Sequence, residues 1–503
     1  MSIQVLWMMQ SSFDATVQHL QRTSSLQEVQ GLLGWDEQVF LPENATEARA
    51  EQMAAIADAV HGLETSPKLG KFLDELNAEF DSLDPSQRCI VIEARKQFEE
   101  ARRLTPEFVA RRASATSRAY HAWADAREKD DFAAFAPFLQ EQIDLACEYA
   151  ELVGATDAYD FCIDKHDPGM TATAIAALFE PLRDALIPLV KKIADSGKQP
   201  DVSFLKGFGV ESQEGFLKEI VSKMGFDFTR GRIDKSLHPF CAGSGSDIRM
   251  TTRFFEDTPL DSLFSSIHET GHGLYEQGLP YAWRGTALGV NAGMGVHESQ
   301  SRLWENQIAR SRPFWEYWEP KYRTAFPEQL AGVDSEQLYR AINAVRVIPI
   351  RVDSDEVTYN LHIMLRFNLE QRLFSGDLKV ANLPEAWNAL AEEYLGLKIE
   401  NDQEGVLQDV HWSGGAFGYF PSYTLGNMLA AQIWYTLRAD IPDIDQQIAE
   451  ADMSQILEWL RTNVHAHGRR YPLMDLSRRA TGNALSHMAL VRYLEERYLP
   501  LYA

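Results

Sequence analysis

The chain has 503 residues, 45% of them apolar and 24% charged, an ordinary composition for a globular protein with a large core. Its net charge of −25 excludes nucleic acid and anionic membrane surfaces as partners, because both need basic residues to neutralise phosphate. The four cysteines (Cys89, Cys147, Cys162, Cys241) lack metal-like spacing and read as reduced thiols of a cytoplasmic protein. The opening MSIQVLWMMQ has no basic region or long apolar run that would mark a leader, and no segment approaches the roughly 20 apolar residues that span a bilayer.

Most of the chain reads as helix, with no repeat, low-complexity tract or linker. Phe135, Leu139, Ile143, Ala146 and Tyr149/Ala150 keep helical spacing. So do Ile175, Leu178, Leu182, Leu186, Leu189 and Ile193, after a capping start at Gly169-Met170-Thr171. Asp125 to Asp131 reads as a solvated helix end. Phe216, Ile220 and Met224 repeat the pattern until Gly225 stops it. From Phe226 to Phe255 the text turns rich in Gly, Ser and Pro, then alternates: Ile248, Met250, Thr252 and Phe254 share one face of a strand or hairpin. Extended peptides are commonly held by addition to an exposed strand edge, so Asp247–Phe254 is expected to border a cleft.

The next helix opens at Thr258-Pro259, with Asp261 in its first turn, and closes at Gly278 before Pro280. It carries His268-Glu269-Thr270-Gly271-His272, an H-E-x-x-H pattern. Imidazoles four residues apart stack on one helix face and reach one ion. Glu269, about 100° round the axis from His268, flanks that ion where a general base belongs. With 13 His in the chain, chance alone gives on the order of a few hundredths of a match, and the well-bounded helix reduces that further. Gly271 in a helix interior implies a close approach or tight packing.

A catalytic zinc needs a third protein ligand and an open position. Glu276 lies about 6 Å further along the axis and would make a line rather than a tripod. A second helix follows the Gly-rich stretch Gly285 to Gly295 and ends before Pro313, with Val296, Leu303 and Ile308 in period. It offers Glu298, with Glu305 and His297 as rivals. A planar Arg fork suits a substrate carboxylate; by its neighbours alone Arg351 reads as a salt bridge to Asp353, Asp355 or Glu356, and Arg249, a candidate for such binding, stands beside Asp247. His411 and Tyr423 are candidate oxyanion donors, with Tyr419 as alternative. They flank a Gly-rich aromatic turn, Ser413 to Tyr419, expected to be a mobile wall. His238 and His362 read as structural, and Phe314-Trp315-Glu316-Tyr317-Trp318 as core or dimer interface.

Several blocks in order carry a family resemblance: His238-Pro239-Phe240, Asp247-Ile248-Arg249-Met250-Thr251, the H-E-x-x-H helix, His297-Glu298-Ser299-Gln300, Ile350-Arg351-Val352-Asp353-Ser354-Asp355, Gly405 to Trp412, and Phe420 to Gly426. Leu33-Gly34-Trp35-Asp36 with Glu47-Ala48-Arg49-Ala50 adds an N-terminal one. Together they resemble the carboxypeptidase Taq family of zinc metallocarboxypeptidases, with Ser354 where Ala is usual. The resemblance implies Glu298 as third ligand and Glu269 as base. It implies release of single residues from peptides with a free C-terminus, Arg351 receiving that carboxylate, and a homodimer. Zinc is the expected metal, and cobalt or manganese also fits such ligands. The competing functions are an oligo- or endopeptidase of the same helical type and a catalytically silent peptide-binding scaffold.

The expected fold is mainly α: one large helical zincin-type body over residues 1–503, with a deep cleft and a small β-hairpin or sheet beside the zinc helix. Residues 1–200 or so would form helices walling or covering the cleft, and 226–430 the catalytic core.

Overall fold

The computed structural model describes residues 3–503, with side chains from residue 11 on. Part of the expectation about a leader at the chain start falls on Met1 and Ser2, outside the described residues. The fold is mainly α-helical with one three-stranded sheet. No described helix is long and apolar enough to cross a membrane. The residues fall into two compact units.

The first unit comprises the chain up to Arg103, Gly207–Ala292 and Asp443–Pro472. Helices α1 (Ile3–Val39) and α2 (Thr46–Glu64) form a packed pair here. Arg49 ties it, donating to Asp36 Oδ2 and to the Leu33 carbonyl, each at 2.5 Å. This joins the two halves of the N-terminal block read from the sequence. Helix α3 (Val210–Met224) ends at Gly225, whose φ of 97° is the left-handed cap that Gly supplies without strain.

Three strands follow: β1 (Gly231–Lys235), β2 (Phe240–Ser244) and β3 (Asp247–Thr252), in the order β1-β3-β2. β2 and β3 are the expected hairpin, and β1 adds in parallel to the other side of β3. Strand β3 is therefore central, its Ile248 and Met250 side chains buried, and it keeps no free edge for a peptide. Edge strand β2 meets α1 through a Ser244–Glu28 hydrogen bond of 2.9 Å. Helix α4 (Pro259–Gly278) packs on this sheet. The close approach argued from Gly271 is found at Gly273: a Cβ there would lie 2.9 Å from both Met250 and Phe226. At Gly278 a Cβ would strike His465 Nδ1 at 2.1 Å, so small size is needed at the end of α4 as well.

The second unit comprises Leu104–Lys206, Gly293–Pro442 and Leu473–Ala503. Long helices Pro106–Lys129, Phe132–Val153 and Ala172–Asp195 build its first part. Thr171 caps the third as expected, accepting from Ala174 N, and Ile175, Leu182, Leu186 and Ile193 are buried. The charged stretch 125–131 is a helix end: Asp130 takes a left-handed cap and Asp131 caps the next helix. Three later helices carry the functional residues: α5 (Met294–Arg302), α6 (Tyr359–Ser375) and α7 (Pro421–Asp440). A π-helical stretch, Leu303–Ile308, continues α5. Phe314, Trp315 and Trp318 are buried, which makes that aromatic cluster core.

Candidate active site

On α4, the half-buried His268 and His272 rings lie 4.7 Å apart, edge to face, one turn from each other. Thr270, on the opposite face, donates to the Ser266 carbonyl at 2.7 Å, and Ser266 is hydrogen-bonded to Thr252 of the sheet. The histidine face of α4 is thus set by bonds behind it. Glu269 is buried. Cys241 of β2 lies close enough to feel it: burial, and then the Glu269 charge, push the thiol well above its ordinary range. An inert thiol results, as the scattered cysteines implied.

On α5, Glu298 is buried, with both oxygens engaged: Ser301 Oγ donates to Oε2 at 2.9 Å and Arg302 Nε to Oε1 at 2.6 Å. Helix α7 crosses α5 so closely that a Cβ on Gly426 would lie 2.6 Å from Glu298 Cβ and Cγ. At the start of α5, Gly295 N donates to Asp167 Oδ1 at 2.7 Å, while Ser422 at the start of α7 donates to Oδ2 at 2.6 Å. One buried aspartate thus pins both helices.

His268 and His272 on α4 and Glu298 on α5 form a group of residues that could hold a metal ion. Two imidazoles and a carboxylate are the donor set of a catalytic divalent-metal site with an open position. Glu305, the rival third ligand, instead accepts from Arg302 at 3.0 Å and Arg310 at 3.5 Å. Glu276 accepts from Asn291 at 3.2 Å.

Arg351 is buried at 4% exposure. It is paired, but with Asp409 rather than with the local acids the sequence offered: Nε and Nη2 both donate to Asp409 Oδ1, at 3.0 and 2.7 Å. Its Nη1 reaches the Tyr359 hydroxyl at 2.8 Å. Its backbone N–H donates to Gln408, whose amide in turn reaches the Pro349 carbonyl at 3.0 Å. The blocks around 351 and 409 are therefore joined residue to residue. Burial alone would raise the Asp409 carboxyl; the Arg351 and Arg366 guanidiniums outweigh it and hold the group ionised.

His411 and Tyr423 come together, His411 Nε2 lying 3.2 Å from the Tyr423 hydroxyl. The Tyr419 ring packs against both, tilted to His411 and edge to face with Tyr423, with centroids 5.5 and 5.3 Å away. Burial pushes His411 down to about 4, so it is neutral near pH 7, and pushes the Tyr423 hydroxyl well up, so it stays a donor. The Arg351 guanidinium lies 5.2 Å over the Tyr423 ring. Arg249 is engaged elsewhere: its fork meets Asp247 at 2.9 and 3.1 Å and stacks 4.2 Å over Trp35. The buried His362 ring is held neutral, chiefly by burial. His238 contributes its backbone carbonyl to Ser236 and Thr251.

The turn 413–419 is pinned rather than loose. Fully buried Glu370 of α6 accepts from Trp412 Nε1 at 2.7 Å, Gly418 N at 2.9 Å and the Tyr159 hydroxyl at 2.9 Å. Sequence reasoning passed over Glu370, Arg366 and Asp409 as site residues, along with Arg302 and Gly426. The one available signal was that Arg366 and Glu370 stand four apart on an apolar helix, facing the same way.

The carboxypeptidase Taq (M32) metallopeptidase model matches residues 15–498. The chain belongs to the M32 family. Among its M32 relatives, thermostable carboxypeptidase 1 of Thermus thermophilus is 39% identical, covering 98% of this chain and 99% of that protein. Carboxypeptidase 1 of Bacillus subtilis is 37% identical over 96% and 97%. The crystal structure of an M32 carboxypeptidase from Deinococcus radiodurans superposes with a TM-score of 0.94 at 42% identity, covering 98% and 99% of the two chains. A Pyrococcus furiosus carboxypeptidase superposes with a TM-score of 0.93 at 35% identity, over 97% and 99%. This M32 chain is accordingly an enzyme, a metallocarboxypeptidase.

Proposed function

We propose that the enzyme releases single amino acids from the free C-termini of peptides, using zinc held by His268, His272 and Glu298. The observation that carries this reading is that His268, His272 and Glu298 form a group able to hold a metal ion, with the buried Glu269 between the two histidines on α4. A divalent cation there supplies a Lewis acid for the scissile carbonyl and lowers the pKa of water. Glu269 accepts the proton of the attacking water and returns it to the leaving amine. Tyr423 or His411 donates to the developing oxyanion; the neutral His411 leaves either hydroxyl or imidazole N–H able to serve. Arg351 receives the terminal carboxylate of the departing residue, with Arg249 as a further candidate for carboxylate binding. The same reading makes the substrate peptide the partner, and puts the enzyme in the cytoplasm as a homodimer.

The test is mass spectrometry of a mixed peptide set incubated with the enzyme, with and without chelator. Single-residue losses from the C-terminus, absent with chelator, are expected. Internal fragments would replace this reading with an endopeptidase, and no products with zinc, cobalt or manganese added would replace it with a binding scaffold.

A further inference from the structure

Around Asp409 the buried charges do not balance. Arg366 of α6 is 0% exposed; its Nε donates to Asp409 Oδ2 at 2.6 Å and its Nη1 to the His362 carbonyl at 2.8 Å. Arg351 takes the other oxygen, Oδ1. Two guanidiniums thus share one carboxylate, which leaves one positive charge in excess. The groups nearby do not cancel it. His362 and His411 are held neutral, by burial first and by the fields of the two arginines as well. Burial raises the carboxyl of Glu370, one turn beyond Arg366, to about 7, against the hydrogen bonds from Trp412, Gly418 and Tyr159, so it offsets the excess only in part near neutral pH. Glu298 and Glu305 share Arg302, which lies 4.6 Å over the Tyr359 ring.

Buried ion clusters are weak stabilisers even when balanced, since desolvation offsets their attraction. An unbalanced one is a net expense to the fold, and such sites cluster where function needs them. The missing charge is negative, and Arg351 is the member of the pair whose fork also reaches the aromatic group of Tyr359 and Tyr423.

We infer that Arg366 is a positioning residue for carboxylate recognition: by occupying Oδ2 of Asp409 it leaves Arg351 with positive charge that the terminal carboxylate of a peptide completes. This rests on the reading of Arg351 given above. Arg366 does not touch the substrate; it acts through Asp409 and Arg351. Without it, Arg351 and Asp409 become a self-satisfied pair with little left to offer an anion.

The test is steady-state kinetics of the full-length, zinc-loaded enzyme on one peptide with a free and with an amidated C-terminus, for the wild type, R366Q, R366K and R351A. For R366Q, KM for the free peptide is expected to rise about tenfold or more while kcat changes less than about threefold. R366K keeps the charge and is expected to recover most of that loss. The thermal midpoint of R366Q is expected to equal or exceed the wild type, because an excess buried charge has gone; a purely structural arginine would lower it. An unchanged KM, a fall in kcat alone, or a destabilised R366Q would each overturn the inference. If R351A handles the free peptide as the wild type does, the reading of Arg351 itself fails. If R351A raises KM and R366Q does not, only the role of Arg366 falls.

Discussion

The α4 helix and the cluster around Asp409 are both built for charge, in opposite ways. On α4 the two imidazoles stand four residues apart, half-buried, on a face whose backing bonds run within the helix and to its own sheet. Around Asp409 the partners come from positions 58 and 43 residues away, and every charged atom is withdrawn from water. The first arrangement is local and keeps its chemistry after most changes elsewhere. The second exists only in the folded chain and holds its charge against desolvation. Changes on α4 should therefore stop turnover and leave substrate choice alone, while changes around Asp409 should alter which peptides are accepted.

Glu269→Gln tests the first half most severely. Turnover is expected to fall by about 10²- to 10⁴-fold, the usual contribution of a general base, with bound zinc unchanged by elemental analysis. Retained turnover would remove Glu269 from its role. Arg351→Ala tests the other half. Two charge-assisted hydrogen bonds of about 1.5–3 kcal/mol each set the scale, so kcat/KM on a free C-terminus is expected to drop by about 10²-fold or more. Amidated peptides should be nearly indifferent; equal losses on both would mean that Arg351 serves only the fold.

Gly426→Ala separates local propensity from packing. In a helix the change should stabilise by up to about 1 kcal/mol. The new Cβ would, however, sit 2.6 Å from Glu298 Cβ and Cγ, against a buried side chain fixed by Ser301 and Arg302. Displacement of Glu298 is expected to win and, on the proposed ligand set, to weaken metal affinity about 10- to 100-fold, the range seen when ligand-supporting groups are lost. Competition with a zinc chelator of known affinity reads this directly. A more stable protein with unaltered affinity would show that α5 and α7 can separate freely.

These cases also show where sequence reading stops. The α4 boundaries, its two histidines and the β2–β3 hairpin follow from period, caps and turn residues, because each is decided within a few positions. The choice between Glu298 and Glu305 is not decided there. It depends on α5 crossing α7 at Gly426 and on Arg302 and Arg310 engaging Glu305. Strand β1 escaped notice inside a Gly-rich stretch, so β3 was taken for an edge although it lies between two partners. The Arg351 partner was sought among Asp353, Asp355 and Glu356 because they are near in sequence. A buried guanidinium instead selects the carboxylate that can be buried with it, and that is Asp409. The turn 413–419 looked mobile from its glycines, yet it is tied down by Glu370, which sits on a helix that otherwise reads as plain core.

The smallest expected effect lies at Asp167, and it concerns stability rather than turnover. Burial raises its carboxyl to about 6, against the opposing hydrogen bonds from Ser422 and Gly295. The unfolded chain holds the same group near 3.9. Between those values the folded state binds the proton more tightly, so stability must fall as pH rises from about 4 to about 6 and level off above. The full difference is worth at most about 3 kcal/mol. Asp167→Asn removes the titration while keeping an acceptor for Gly295 N and a polar partner for Ser422. The difference in thermal midpoint between Asp167→Asn and wild type should therefore move in favour of the variant by up to a few degrees between pH 4 and 7. Taking the difference cancels every carboxylate the two proteins share, so a flat difference across that range would mean that Asp167 stays ionised and that α5 and α7 are pinned by a charge rather than by a proton-sensitive pair of hydrogen bonds.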